Sequence, residues 1–252
     1  MFQKVIAKTL RALDDFNMID DGDKIAIGLS GGKDSITLLH VLYYIQKFHK
    51  KKFTIMAITI HPGSDTFKTN ELEKMCKDLG VEYIVYNSDI MNVVFDIRKE
   101  KNPCSLCANM RRGMLNSLAN EYNCTKIALG HHMDDVMETF LMSQFYNGKI
   151  HTFSPVTYLS RSNVKTIRPF VYVEEKYTKA IAKEKHYPVV GKCCPKDGYT
   201  KREDMKTFIK EMSHSIPKFR ESLFGAIKRS NIPGWDILNN NTDTITNSNN
   251  SL

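Results

Sequence analysis

Ile25-Ala-Ile-Gly-Leu-Ser-Gly-Gly-Lys-Asp-Ser35 is an apolar strand that runs straight into a glycine turn. A second apolar run, 36–45, follows at once. The turn carries two hydroxyls, a lysine and a carboxylate. A strand that stops at glycines and restarts as a helix exposes backbone N–H groups at the helix N-terminus. The partial positive charge there suits a phosphate or pyrophosphate. Gly31 and Gly32 permit positive φ and close approach of the backbone to a ligand. The plainer reading is a strand-to-helix turn with a serine cap. The full six residues Ser30 to Ser35, set after a buried strand, favour a nucleotide.

Outward from this turn the same alternation repeats. Residues 1–18 read as a helix, with Val5, Ile6, Leu10, Leu13 and Phe16 near helical spacing. Residues 24–29 form a strand buried on both faces, since it is almost continuously apolar. A helix over 34–48, a strand over 53–60, a helix over 67–80 closed by glycine and a strand over 82–86 follow. Residues 90–102 are ambiguous, with helical character. Then come a helix over 105–122, a strand over 125–129 and a helix over 133–146. This order predicts right-handed βαβ units and an α/β fold, a Rossmann-like parallel sheet flanked by helices. Ligands of such sheets bind beyond the carboxyl ends of the strands. The turns 30–35 and 130–135 can therefore face one crevice.

After Gly148 the pattern shifts to short strands at 156–158 and 164–167, then helices at 174–185, 201–213 and 219–230. Residues 239–252 are rich in Asn, Thr and Ser and nearly free of apolar side chains, the composition of a disordered tail. The expected division is an N-terminal helix over 1–20, one nucleotide-binding domain with additional C-terminal helices over 21–235, and a tail over 236–252.

A chain of 252 residues can bury a sizeable core. Its 42% hydrophobic and 25% charged content is that of a folded globular protein. No apolar run approaches the ~20 residues that span a bilayer. Residues 1–13 lack the small-residue cleavage pattern of a secretory signal. A cytoplasmic location without membrane association is expected. The net charge of +8 permits an acidic partner such as RNA or DNA without requiring one.

A second constellation, Gly130-His-His-Met-Asp-Asp-Val-Met-Glu-Thr139, joins a strand to a helix. Asp134 and Asp135 fall in the first helical turn, with Glu138 one turn on. Such carboxylates could hold Mg²⁺ beside nucleotide phosphates. Equally, they could complement the helix dipole. A zinc site at His131 and His132 is disfavoured, because adjacent residues rarely converge on one ion.

Six cysteines in a cytosolic chain point to metal or thiol chemistry where they cluster. Cys104 and Cys107 lie three apart just before Ala108-Asn-Met-Arg-Arg-Gly113 and could ligate one metal or cluster. The pair alone leaves zinc, an iron–sulfur cluster and a redox couple open. Cys193 and Cys194 are adjacent, so that doublet supplies one ligand more readily than two. Cys76 and Cys124 read as buried thiols.

The segment Ser30 to Ser35 resembles the PP-loop of ATP pyrophosphatases, enzymes that split ATP into AMP and pyrophosphate. Together with 104–113 and 129–149, it resembles the TtcA family of tRNA 2-thiocytidine synthetases, over residues 23–210. Ile167-Arg168-Pro169-Phe170 and Cys194-Pro-Lys-Asp-Gly198 look like further family segments. The resemblance implies ATP bound at Ser30, Gly31, Gly32, Lys33, Asp34, Ser35, Gly130 and His131, with Mg²⁺ assisting and Asp134 and Asp135 as its candidate ligands. It implies a 4Fe–4S cluster on Cys104, Cys107 and Cys194, with Cys193 the rival third ligand. Asp34 and Asp134 are the implied catalytic or metal carboxylates. The implied reaction adenylates O2 of an anticodon-loop cytidine in tRNA and replaces it with sulfur. The implied partners are tRNA, a sulfur donor such as a cysteine desulfurase, and a second copy in a homodimer. The rivals are a lysidine-forming tRNA ligase, thiolation or desulfuration of another base, and a non-catalytic nucleotide-binding module. The cysteine set argues against the first and the last.

Overall fold

The computed structural model describes residues 1–99, 103–159, 164–190 and 201–237. Its strands are β1 (Asp23–Gly28), β2 (Phe53–His61), β3 (Glu82–Asn87), β4 (Lys126–Ala128), β5 (Val156–Leu159) and β6 (Val164–Ile167). They form one sheet in the order β3-β2-β1-β4-β6-β5. Every neighbouring pair is parallel except β5 with β6. The expected parallel α/β sheet is thus the fold, with one antiparallel edge.

The helices are α1 (Phe2–Asp15), α2 (Lys33–Ile45), α3 (Asn70–Leu79), α4 (Pro103–Glu121), α5 (Met133–Asn147), α6 (Glu175–Glu184), α7 (Lys201–Ser215) and α8 (Phe219–Arg229). The ambiguous stretch after β3 contains a short π-helix, Asn92–Ile97. The helix expected from residue 67 begins only at Asn70, and Phe67 is buried ahead of it. Gly80 closes α3 at φ +67°, a conformation that favours glycine.

Alternate side chains of the central strands feed two cores, as the two-residue period of a strand requires. Ile25, Ile27, Ile55 and Ala57 join a large core with α1, α2, α5 and α6. Ala26, Met56, Ile58 and Ile127 face the other way, against Leu115, Leu118 and Ala119 of α4. The helix α2 is buried almost all round, through Ile36, Leu38, Leu39, Leu42 and Ile45, because α1 and α6 pack over it. Each such side chain contributes about 1.5–3 kcal/mol. Packing, not capping, therefore holds α2 in place.

The chain leaves β1 towards β2 on one side and reaches β4 on the other. The loops after β1 and β4 therefore flank the point where strand order reverses, the usual place for a ligand crevice. Near the last described residues, Trp235 is 1% exposed. Its Nε1 donates to the Phe153 carbonyl at 3.1 Å, and its ring meets Phe16 and Phe224 edge-on.

Candidate functional site

The loop after β1 is held by its own hydroxyls. Ser35 Oγ accepts from Ser30 N at 3.2 Å and Ser30 Oγ at 3.1 Å, and donates to the Gly32 carbonyl at 2.9 Å. Gly31 sits at φ +78°, and a Cβ there would lie 2.7 Å from Val190. Val190 N also donates to the Gly31 carbonyl at 2.9 Å. Gly32 caps α2 without any side-chain bond. The first amides of α2 thus receive no side-chain cap and face outward with the positive end of the helix.

The start of α5 is the opposite case. His132 Nδ1 accepts from Asp135 N at 3.2 Å, and Asp135 Oδ2 accepts from His132 N at 2.9 Å, a closed capping box. Of the two helix starts at the crevice, only that of α2 is open to an anion. Gly130 brings the two turns together, since a Cβ on it would stand 3.0 Å from the Asp34 carbonyl carbon and 3.1 Å from Ser35 N. The two turns do share one crevice, as their strand ends predicted.

Asp134 and Asp135 do not form an open carboxylate pair. Asp134 Oδ1 pairs with Arg220 Nη2, and Oδ2 accepts from Glu175 N at 2.8 Å. Asp135 Oδ1 accepts from Arg202 Nη1 at 2.8 Å. Burial would raise the Asp135 pKa, but His132, His131 and Arg202 hold it low. Glu138 is buried, and burial with the nearby Asp135 charge pushes its pKa up to about 8. No group of three or more His, Cys, Asp or Glu able to hold a metal ion occurs among the described residues. Arginines and backbone amides occupy the oxygens of the expected magnesium pair in this structure, so a cation there would have to displace them.

Lys33 is engaged by carboxylates. Its Nζ lies 2.8 Å from Asp34 Oδ2 and 2.9 Å from Glu175 Oε1. Burial would lower the Lys33 pKa, but Asp34 and Glu175 together raise it. Glu175 Oε2 also meets Lys206 Nζ at 2.8 Å. Against the effect of burial, Lys206 and Lys33 hold Glu175 down to about 2. Asp34 Oδ1 accepts from Thr178 Oγ1 at 2.5 Å.

Cys104 and Cys107 stand in the first turn of α4, which opens at Pro103, a favoured first helical position. Cys104 is exposed and Cys107 is half-buried. Their spacing puts both thiols on one side of the helix, so the two fit as ligands of one cluster. Cys76 and Cys124 are buried, as expected. Burial pushes the Cys76 thiol up to about 12, which makes it inert. Cys193 and Cys194 lie outside the described residues. Further along the same helix, Ala108, Arg111 and Leu115 line a cavity of about 340 Å³ that Ser30, Leu29 and His131 also line.

A family model described as a PP-loop domain matches residues 2–191. A tRNA-cytidine(32) 2-sulfurtransferase of Syntrophotalea carbinolica is 36% identical over 90% of this chain and 89% of its own length. The enzyme of that name from Pseudomonas fluorescens is 37% identical over 90% and 85%. The chain belongs to the tRNA-cytidine(32) 2-sulfurtransferase family of PP-loop proteins. The fold is also that of the U34-tRNA thiolase NcsA from Methanococcus maripaludis, solved with its [4Fe-4S] cluster. That match has a TM-score of 0.72 at 24% identity and covers 90% of this chain and 78% of the other.

In this PP-loop sulfurtransferase relative, several site residues escape sequence reasoning. Glu175 and Thr178 come from α6, Arg202 and Lys206 from α7, and Arg220 from α8. Each reaches the crevice across a long stretch of chain, and none sits in a motif. Nothing local in the sequence marks Arg202 as the partner of Asp135.

Proposed function

We propose that the protein is an ATP-dependent tRNA thiolase that converts a cytidine, position 32 by the names of its relatives, into 2-thiocytidine. The observation that carries this reading is a single cavity. Ser30 of the phosphate-type loop and Ala108, the neighbour of Cys107, both line it. Activation and sulfur delivery can then meet at one base.

The open N-terminus of α2 receives the pyrophosphate end of ATP, and Lys33 turns from its carboxylates to those phosphates. Asp34, fixed by Thr178, is the carboxylate nearest that exchange and the assigned catalytic acid group. Gly130 and His131 complete the nucleotide side of the crevice. The cytidine O2 attacks the α-phosphorus and pyrophosphate leaves. Sulfur then adds at C2, and AMP departs with the former O2. A 4Fe–4S cluster on Cys104, Cys107 and a third ligand from the Cys193-Cys194 doublet, by family resemblance Cys194, would supply sulfur at the sulfide level. Magnesium comes bound to ATP, with no protein carboxylate pair assigned to it. Asp134 acts as a positioning residue that ties α6 and α8 to the site.

The working partners are tRNA, a sulfur donor such as a cysteine desulfurase, and a second copy in a homodimer, in the cytoplasm. No helix among the described residues is long and apolar enough to cross a membrane. The deciding experiment is nucleoside mass spectrometry of tRNA from cells lacking the protein. Loss of 2-thiocytidine is expected. Unchanged 2-thiocytidine, or loss of lysidine instead, overturns the reading.

A further inference from the structure

A cleft of about 540 Å³ lies between α1 and α8, beside the turn that precedes α6. Five cations line it, Lys8 and Arg11 from α1 and Arg220, Lys228 and Arg229 from α8, against two acids, Glu174 and Glu221. Three of the five are answered within the fold. Lys8 Nζ lies 3.7 Å from Glu174 Oε1, Arg11 Nε lies 3.6 Å from Asp15 Oδ2, and Arg220 pairs with Asp134. Lys228 and Arg229 form no ion pair among the described residues.

The free cations are held close together. Lys228 Nζ lies 4.7 Å from the centroid of the Tyr172 ring, and the Arg11 guanidinium lies 5.7 Å from it. That ring is fixed, since Tyr172 is buried and its hydroxyl donates to Asp15 Oδ2 at 2.8 Å. Arg229 folds back over Gly225, where a Cβ would stand 3.0 Å from its guanidinium nitrogens. Burial lowers the Lys228 pKa, and the charges of Arg11 and Arg229 push it the same way, with Asp15 opposing. Cations crowded like this repel one another, and an anion in the cleft would relieve the repulsion.

The positive charge continues beyond the cleft. Lys4, Lys8 and Arg11 recur at helical spacing on one face of α1. Lys4 and Lys176 both lie over the Tyr177 ring, 4.9 and 5.1 Å from its centroid. From Lys4 to Arg11 the stripe covers about 10 Å of helix axis. A single phosphate fills a fraction of that length, whereas a nucleic-acid strand repeats its charge about every 3.4 Å of axis. The cleft also adjoins the reaction crevice. Met133 and Glu174 line it, and the next residues, Asp134 and Glu175, stand in the crevice.

We propose that the groove from Lys4 on α1 to Arg229 on α8 carries the sugar-phosphate backbone of the tRNA, holding its phosphates while the target base reaches the crevice. The proposal rests on the function given above, which makes the substrate a polyanion. Backbone contacts of this kind position the RNA and carry no base information. They are equally strong before and during the reaction, so they act on KM and not on kcat.

The test uses the full chain with its cluster loaded, as Lys228→Gln/Arg229→Gln and as Lys4→Gln/Arg11→Gln. Arg220 is left intact because it holds Asp134. As a control, Lys50→Gln/Lys52→Gln removes the same charge from exposed positions just before β2, at the other end of the sheet. Binding of tRNA is followed against salt concentration, beside ATP affinity and steady-state thiolation. Each groove variant is expected to raise the tRNA Kd about 5- to 30-fold and to flatten its log–log salt slope by about 1–2. KM for tRNA should rise in step, with kcat and ATP affinity within about twofold of wild type. The control should shift the tRNA Kd less than about twofold, because its charges lie beyond a screening length from the groove. Equal weakening by the control and the groove variants would reduce the effect to net charge and overturn the proposal. So would an unchanged tRNA Kd, or a fall in kcat at constant KM. Pyrophosphate binding that Lys228→Gln/Arg229→Gln abolishes while tRNA affinity holds would mark a small-anion site and overturn it as well. Wild-type protein that binds tRNA through the groove but leaves its cytidines unmodified would sink the function and leave the groove standing.

Discussion

The Lys33 ammonium is held 2.9 Å from a Glu175 carboxylate oxygen, so the cation of the phosphate-type loop is neutralised by α6 before any nucleotide arrives. Incoming phosphates must displace that carboxylate. Glu175→Gln keeps the shape and removes the competition. It is expected to tighten ATP binding about 3- to 10-fold, whereas Lys33→Met weakens it about 10-fold or more. Calorimetric titration with ATP decides between this picture and one in which Glu175 merely braces the loop, where the Gln variant would bind more weakly.

Gly130 is a contact point, not a flexible joint. A methyl group there would press on the backbone of Asp34 and Ser35 at 3.0–3.2 Å and tilt the start of α2. Gly130→Ala is expected to raise the Kd for ATP at least about 10-fold and to cost about 1–3 kcal/mol of stability. Gly113→Ala serves as the contrast. Nothing lies within 4 Å of that Cβ, and alanine in an exposed helix should add about 0.5–1 kcal/mol. Equal behaviour of the two variants in thermal melts and ATP binding would contradict the packing argument.

Much of this was legible before any coordinates. The strands at the sheet centre are short apolar runs ended by turn residues, and the glycines of both turns sit where only close backbone approach explains them. The core thiols Cys76 and Cys124 were separable from Cys104 and Cys107 by their neighbours in sequence. The roles of Asp134 and Asp135 were not legible. Two acids in a first helical turn look the same whether they await a cation or already hold Arg220 and Arg202. That difference is made by helices 60 to 90 residues downstream, and contacts over such distances leave no local pattern. The antiparallel edge β5–β6 and the π-helix are local, but their short runs carry no period that tells one pairing or one helix type from another.

Two glutamates give opposite pH signatures. Glu138 has its folded pKa raised to about 8, so the folded state keeps a proton that the unfolded chain has lost above its ordinary value of 4.5. Its contribution is complete at low pH and disappears as pH climbs from about 4.5 to about 8. Glu175 has its folded pKa lowered to about 2, so its contribution is present above about 4.5 and disappears as pH drops towards 2. Glu138→Gln should therefore flatten the loss of stability between pH 6 and 8, on the order of 1 kcal/mol or more at the upper end. Urea melts across that range measure it, and a Gln variant with the wild-type slope would remove Glu138 as the cause.

The cysteines divide by exposure. Cys104→Ser is expected to abolish the brown colour of anaerobically prepared protein while ATP binding persists. Cys76→Ala should keep the colour and instead lower stability by about 1–2 kcal/mol through the small core cavity it leaves. Iron and acid-labile sulfide assays on the two variants give the answer directly, and a Cys104→Ser protein with full iron content would overturn the ligand assignment.

Phe153 stands behind both His131 and Arg168, and the indole of Trp235 is fastened to the Phe153 carbonyl. Wear at the far end of the chain is therefore felt at its chemical centre. Trimming that removes Trp235 would open a core cavity against Phe16 and Phe224 and take the support from Phe153, so a fall in melting temperature and a loosened His131 and Arg168 are expected together.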